Sequence, residues 1–314
     1  MSTNELELRF FTGRDEIDDF VRRVIGEYEK TFPDRVRAYY VIGSYADGSA
    51  TGISDLDLVV LFKGTRSDEE RRTAGRLDDE LASACPVRLD LTTSGEDDAT
   101  WEKHHVKRGS QFLCGQDIRS RLPEPPLDPA DVRESFHCAQ GYLQFLRGGA
   151  PLAYPLTYPD PAGEFFGYDA IREPSWYPAG TAQGLRELVN AVTLAAAALL
   201  PPEAGRRSAT KGQTVALYSE CVGGRWARYV ELLYQEAKIR WGYLVPEHPD
   251  ERRLLRELCE QTLGFENHFF EEYRTLLSNL LRSGMPESVR FAEDRLREVQ
   301  HLTEDSPPGT PSGR

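Results

Sequence analysis

The chain has little of what several common designs require. Its five cysteines, Cys85, Cys114, Cys138, Cys221 and Cys259, are odd in number, widely scattered and never spaced as C-x-x-C. Neither a disulfide framework nor a zinc knuckle is indicated, and reduced, mostly buried thiols of a cytoplasmic protein are the expectation. Long apolar runs are missing too. The most apolar one, VNAVTLAAAALL at 189–200, is too short to span a bilayer, and the opening MSTNELELRF is too charged for a signal peptide, so no membrane partner is expected. Positive charge is scarce: 38 Lys and Arg stand against 51 Asp and Glu, giving a net charge of -13 and a pI near 5.1. Such a surface repels a phosphate backbone, which argues against nucleic acid and for a cationic small molecule as partner.

What is present divides into two unlike portions, and 314 residues allow one large or two modest domains. Between residues 13 and 30, Ile17, Phe20, Val21, Val24 and Ile25 recur at helical spacing among charged residues. VRAYYVIG at 36–43 and LDLVVLF at 56–62 have the β-branched and aromatic content of strands. A charged helix at 67–83, an alternating strand PVRLDLT at 86–92, a helix near 97–108 and the short SQFLCG follow, closed by a proline-rich linker. Beyond about residue 129 helical periodicity dominates, at 129–147, 181–200, 211–222, 225–243, 250–283 and 286–302. The exception is 150–180, rich in proline, glycine and aromatics and without either period, which reads as a long ordered loop; such loops are more often functional than idle. Residues 303–314 are too polar to fold and are expected to be a disordered tail. The expected domains are therefore 1–126 and 127–302, with 150–180 as an irregular insertion.

The chemistry concentrates in GSYADGSATGISDLDL at 43–58, which runs into the apolar VVLF. Residues two apart on a strand share a face, so Asp55 and Asp57 project side by side while Leu56 and Leu58 take the other face. Two carboxylates held that close repel unless a cation neutralises them, and magnesium takes oxygen ligands that it shares with a nucleotide's phosphates. Asp90, between Leu89 and Leu91 on a later strand, converges on them if that strand lies alongside. Gly43, lacking a side chain, lets backbone amides approach a phosphate closely, and the Ser44 hydroxyl adds a donor. The stretch joins a phosphate cradle to a metal-binding pair.

Gly43-Ser44, a spacer with Asp47 and Gly48, then Ser54-Asp55-Leu56-Asp57 and a later Asp90 resemble the signature of the DNA polymerase β-like nucleotidyltransferase superfamily. The form G-S-x-x-D-G-x5-S-D-x-D is most similar to the aminoglycoside adenylyltransferases of the streptomycin/spectinomycin type. FLCGQDIRSRLP at 112–123 resembles the end of their catalytic domain, and Lys211 with GGRWARYVELLYQEAKIRWGY resembles, more loosely, their helical domain. The resemblance covers roughly residues 13–280 and is weakest at 150–180. It implies an α/β (α+β) nucleotidyltransferase domain with a small mixed sheet, followed by an all-α domain. It also implies ATP as co-substrate, two Mg2+ ions on Asp55 and Asp57, and Asp90 acting at the acceptor hydroxyl, as base or as shared metal ligand. AMP would pass to a hydroxyl of a small cationic acceptor of aminoglycoside type, with release of pyrophosphate and, in consequence, antibiotic resistance. The alternative is a regulatory or antitoxin-type protein of the same fold that binds nucleotide or modifies a protein hydroxyl. No convincing R-x4-6-H in the helical half marks a HEPN-type ribonuclease, and a monomer is expected.

Other residues admit two readings each. Lys211, at a helix start where positive charge is unfavourable, is either a solvated lysine or a phosphate ligand. Asp160, Glu164, Asp169 and Glu173, interleaved with aromatics such as Trp176 and Tyr177, either bind a cationic acceptor or solvate a loop. Trp226 and Trp241 read as core, and His104-His105 as surface, since adjacent residues on a helix diverge.

Overall fold

A computed structural model describes residues 7–97, 102–122, 129–149, 151–172 and 177–300. Helix α1 (Asp15–Thr31) precedes strand β1 (Val36–Ile42), a single turn α2 (Gly43–Ala46) and strand β2 (Leu56–Phe62). Helix α3 (Asp68–Ala84), strand β3 (Leu89–Gly95), helix α4 (Glu102–Gly109) and strand β4 (Gln111–Gly115) complete the first half. The four strands lie in the order β3-β2-β1-β4, with β2 and β3 parallel and the other pairs antiparallel, so the sheet is small and mixed as expected.

Alternation along the strands divides two apolar layers. Tyr39, Val41, Leu58, Val60 and Phe62 pack on one face with α1 and α3, while Ala38, Tyr40, Val59 and Leu61 pack on the other with Val106 of α4. Asp57 has the parity of Val59 and Leu61. Helix α3 starts where Ser67 and Glu70 form a reciprocal capping box. Strand β3 begins three residues later than the alternation suggests, because Pro86 has no N–H for the ladder and pairing starts only where the Leu56 amide donates to the Arg88 carbonyl.

The second half is helical: α5 (Pro129–Leu146), α6 (Arg186–Ala204), α7 (Lys211–Cys221), α8 (Gly224–Leu233), α9 (Pro249–Arg282) and α10 (Pro286–Glu298), with a two-residue strand pair of β5 (Leu152–Ala153) and β6 (Val299–Gln300). Its core runs from Phe136 to Val299 and is separate from the two layers of the first half. Between α8 and α9, Tyr234–Arg240 winds as a π-helix where the periodicity suggests one continuous α-helix. Among the described residues no helix is long and apolar enough to cross a membrane.

Residues 151–172 are stapled to α9. Tyr168 donates to the Glu266 carboxylate at 2.8 Å, the Leu156 amide to the Asn267 side chain at 2.7 Å, and Arg147 reaches both Glu266 and the Thr157 carbonyl. The aromatics of the segment fill the core rather than a groove: Phe165 and Tyr168 are fully buried, and the guanidinium of Arg256 lies 4.2 Å from the Phe166 ring centroid.

Candidate active site

The antiparallel return from β1 to β2 makes the site. At the end of β1 the chain must turn with φ +66° at Gly43, and a Cβ built there would stand 2.2 Å from Oδ2 of Asp57. Glycine is required twice, by the backbone and by the carboxylate that presses against it. The following turn closes on itself: the Ser49 amide donates to the Ser44 carbonyl at 2.9 Å, and the Asp47 carboxylate accepts from the amide and hydroxyl of Ser49. Buried Ser54 accepts from the Thr51 amide at 2.9 Å, fixing the approach to Asp55.

The parallel register sets Asp90 beside Asp57. Asp57 is pushed up to about 7, first by burial and then by the charges of Asp55 and Asp90, while Lys211 and Arg186 draw it back down. Asp57 therefore feels both other carboxylates, although Asp90 is exposed and lies outside the cavity that holds Asp55 and Asp57. Among the described residues no three His, Cys, Asp or Glu side chains are arranged closely enough to hold a metal ion by themselves.

The compensating charge comes from the helical half. Arg186, at the start of α6 and only 5 % exposed, donates to both oxygens of Asp55 at 2.9 and 3.0 Å and to the Ile53 carbonyl at 2.9 Å. Its own amide donates to the Tyr177 hydroxyl, which in turn donates to Glu187. Lys211 opens α7 behind the N-cap Thr210, and burial, then the neighbouring Arg186, lowers its pKa. Asp55, Asp57, Gly43, Ser44, Lys211 and Arg186 share one cavity of about 430 Å³. A second cleft of about 370 Å³ opens beyond Ser54, Asp55 and Arg186, between Pro86–Arg88 and Tyr177–Pro178.

The donor set suits magnesium. Hard carboxylate oxygens are paired, and burial together with the charges of Asp55 and Asp90 disfavours the Asp57 anion, a cost that a divalent cation would relieve. With no closed cage of protein ligands, the fit is to an ion that completes its shell with phosphate oxygens and water.

The carboxylates expected to greet an acceptor have other partners. Glu164 is held by both Nε (3.0 Å) and Nη2 of Arg252, Asp160 accepts from the Ala162 amide within its own turn, and buried Asp169 accepts from Gln183. None of these three lines either cleft. A turn bond accounts for Asp160, Gln183 for Asp169 and Arg252 of α9 for Glu164, the last a pairing across some ninety residues that the loop's own sequence does not show. Glu173, Trp176 and the tail 303–314 lie outside the described residues. Of the histidine pair, His105 faces the cavity wall, its Nδ1 3.2 Å from the Ala209 carbonyl oxygen.

Two cations that line the cavity escape the sequence reading. Arg186 carries the signal of a cation opening an otherwise apolar helix, RELVNAVTLAAAALL, the end where positive charge is disfavoured. Lys238 falls on the apolar stripe that continues from Val230 and Tyr234, a place where lysine is costly.

Residues 25–118 match the family described as polymerase beta, nucleotidyltransferase. This part of the chain is a polymerase β-like nucleotidyltransferase domain. It holds Gly43, Ser44, Asp55, Asp57 and Asp90. Among solved structures, the chain is similar to the spectinomycin adenyltransferase AAD(9) from Enterococcus faecialis, solved with ATP and spectinomycin. Identity there is 12 %, the alignment covers 80 % of this chain and 100 % of the other, and the TM-score is 0.43. A toxin-antitoxin structure with AMP-PNP is 23 % identical over 40 % of this chain and 92 % of its own, with a TM-score of 0.26. A mutant of the toxin-antitoxin MntA-HpeT is 22 % identical over 40 % and 91 %, with a TM-score of 0.27. Likenesses this loose carry no argument about substrate. No curated protein matches the chain.

Proposed function

We propose that this nucleotidyltransferase moves AMP from ATP to a hydroxyl of a small acceptor and releases pyrophosphate. The observation that carries the reading is the meeting of Asp55 and Asp57 with Lys211 and Arg186 around the Gly43-Ser44 turn, hard oxygens facing cations across one cavity. That set suits a metal-bound triphosphate.

The chain's own residues divide the work. Gly43 and Ser44 bring backbone and hydroxyl donors to the phosphates, and Lys211 adds charge. Arg186 orients Asp55 through both oxygens, and its guanidinium would be able to hold phosphate oxygen were Asp55 to serve as a metal ligand. Mg2+ on Asp55 and Asp57, as two ions in the form the resemblance implies, would neutralise charge at the reacting phosphorus. Asp90, exposed next to Asp57, takes the proton of the acceptor hydroxyl. The freed oxygen bonds to the α-phosphorus as the bond to the bridging oxygen breaks, and pyrophosphate carries away that electron pair.

The acceptor enters through the second cleft, whose wall of Ser54, Asp55 and Arg186 is shared with the nucleotide cavity. An aminoglycoside-like, cationic acceptor is the form the sequence resemblance favours, with antibiotic modification as its consequence. Its ammonium groups would then meet Asp90 and the cleft rather than Asp160 or Glu164. A purely regulatory role fits poorly with a complete set of carboxylates and cations. Purified protein with ATP, Mg2+ and a panel of aminoglycosides and lincosamides should release pyrophosphate with at least one of them. Release that persists in Asp57→Asn, or none with any hydroxylated small molecule, overturns the reading.

A further inference from the structure

The helical half buries a lysine that the reaction above does not use. Lys238 is 2 % exposed, where lysine is almost never found without an ionic partner. Its ammonium donates to the Ser49 hydroxyl oxygen at 2.7 Å and lies 5.3 Å from the Tyr234 ring centroid and 6.0 Å from that of Tyr243. No carboxylate among the described residues forms an ion pair with it. It nevertheless lines the same cavity as Gly43, Ser44 and Lys211.

The backbone puts it there. Lys238 sits in the π-helical turn Tyr234–Arg240, and such turns, rare and less well packed than α-helix, are frequent at functional sites. Burial, then the nearby charge of Lys211, pushes the ammonium down to about 8, with Asp47 as the strongest opposing influence. A buried cation in this state is stabilised by any anion that enters the cavity.

Position narrows the anion. Gly43, at the start of the 43–49 turn, presses against Asp57, whereas Ser49, at its end, accepts from Lys238, and Lys211 lines the same cavity. Positive charge thus runs in file from the carboxylate pair, where Arg186 holds Asp55, to Lys238 at the far end of that turn. The α-phosphorus has to lie by Asp55, Asp57 and Asp90 for the transfer, so the phosphates beyond it extend along that file. We propose that Lys238 grips the terminal phosphates of the bound nucleoside triphosphate and then the pyrophosphate leaving group, making the site selective for polyphosphate over nucleoside monophosphate. This rests on the nucleotidyl-transfer reading.

Calorimetric titration of the full chain with ATP, pyrophosphate and AMP tests it, using the parent, Lys238→Met and Ser49→Ala, with thermal melts to confirm folding. Methionine keeps the length of the side chain and removes its charge. Lys238→Met should weaken ATP and pyrophosphate at least ten-fold while AMP changes less than two-fold, and Ser49→Ala should leave all three affinities near the parent's. Equal losses for AMP and ATP in Lys238→Met, or the same ATP loss in Ser49→Ala, would make the lysine a strut for the turn and overturn the inference. Unchanged ATP and pyrophosphate affinity in a folded Lys238→Met would overturn it as well, with the nucleotide reading intact. A parent that binds neither ATP nor pyrophosphate takes down the nucleotide reading itself.

Discussion

Two sets of carboxylates in this chain look alike on paper and meet opposite fates. Asp55 and Asp57 leave a glycine-rich turn, and Asp160, Glu164 and Asp169 sit in an aromatic, proline-rich one. Burial, then the charges of Asp55 and Asp90, pushes Asp57 up to about 7, and its relief comes from Lys211 and Arg186 across a cavity. The second set is satisfied locally or by α9: Arg252 grips Glu164, Gln183 donates to Asp169 and Asp160 closes its own turn. A buried carboxylate such as Asp57, held beside like charges on the wall of a cavity, marks chemistry, and carboxylates paired away from either cleft mark architecture.

Asp57→Asn breaks the comparison most sharply. It removes charge at nearly constant volume, so turnover should fall by more than about a thousand-fold, equivalent to about 4 kcal/mol of transition-state stabilisation. Because desolvation and two like charges disfavour the ionised carboxylate, the same variant should melt at or above the parent's temperature. Pyrophosphate release and a thermal melt on one preparation check both halves. Lost activity with a lowered melting point would mean Asp57 supports the fold instead.

The catalytic strands and turn were legible because everything that shapes them is local. Val36–Ile42 and Leu56–Phe62 follow from β-branched and aromatic content, and Gly43, Ser44, Asp55 and Asp57 from the glycine-rich stretch between them. Arg186 and Lys238 were not, since each acts on residues more than a hundred positions away and nothing near them in sequence names that partner. The 151–172 segment failed for the same reason in reverse: its acids advertise a binding surface until Arg252, Arg256 and Glu266 of α9 are brought alongside.

Glu266 tests the architectural set at its most buried point. It is 1 % exposed, paired with Arg147 and accepting from Tyr168. Glu266→Gln strands the Arg147 charge and should cost about 3 kcal/mol, the low end for breaking a buried pair, since glutamine still accepts from the tyrosine. Urea unfolding measures it. A loss below about 1 kcal/mol would show that the segment is held by its apolar contacts alone.

Lys238→Met should do the opposite and stabilise. The folded ammonium titrates near 8, against 10.5 for the ordinary value, so below pH 8 both states are protonated and the native chain bears the full cost. Between pH 8 and 10.5 the unfolded state holds more protons, and the parent regains stability as pH rises through that window. The advantage of the variant should therefore be up to about 3 kcal/mol at pH 7 and smaller at pH 10. Urea midpoints of both proteins at the two pH values decide it; an advantage that grows with pH contradicts the assignment.

The smallest effect is expected at the acids that the loop's composition singles out. Glu164→Gln with Asp160→Asn removes two negative charges from residues 151–172 without touching the core. The Glu164–Arg252 pair is half exposed, so its loss should lower stability by no more than about 1 kcal/mol, and asparagine at 160 can still accept from the Ala162 amide. If the acceptor met this surface, its KM would rise several-fold and the dependence of KM on salt would weaken, because part of the attraction would be gone. The geometry predicts neither, with kcat and KM for the best acceptor within two-fold of the parent and an unchanged salt response. A KM that rose with kcat held constant would move the acceptor from the cleft beside Asp55 onto the loop, and would make the paired carboxylates of that loop a binding surface after all.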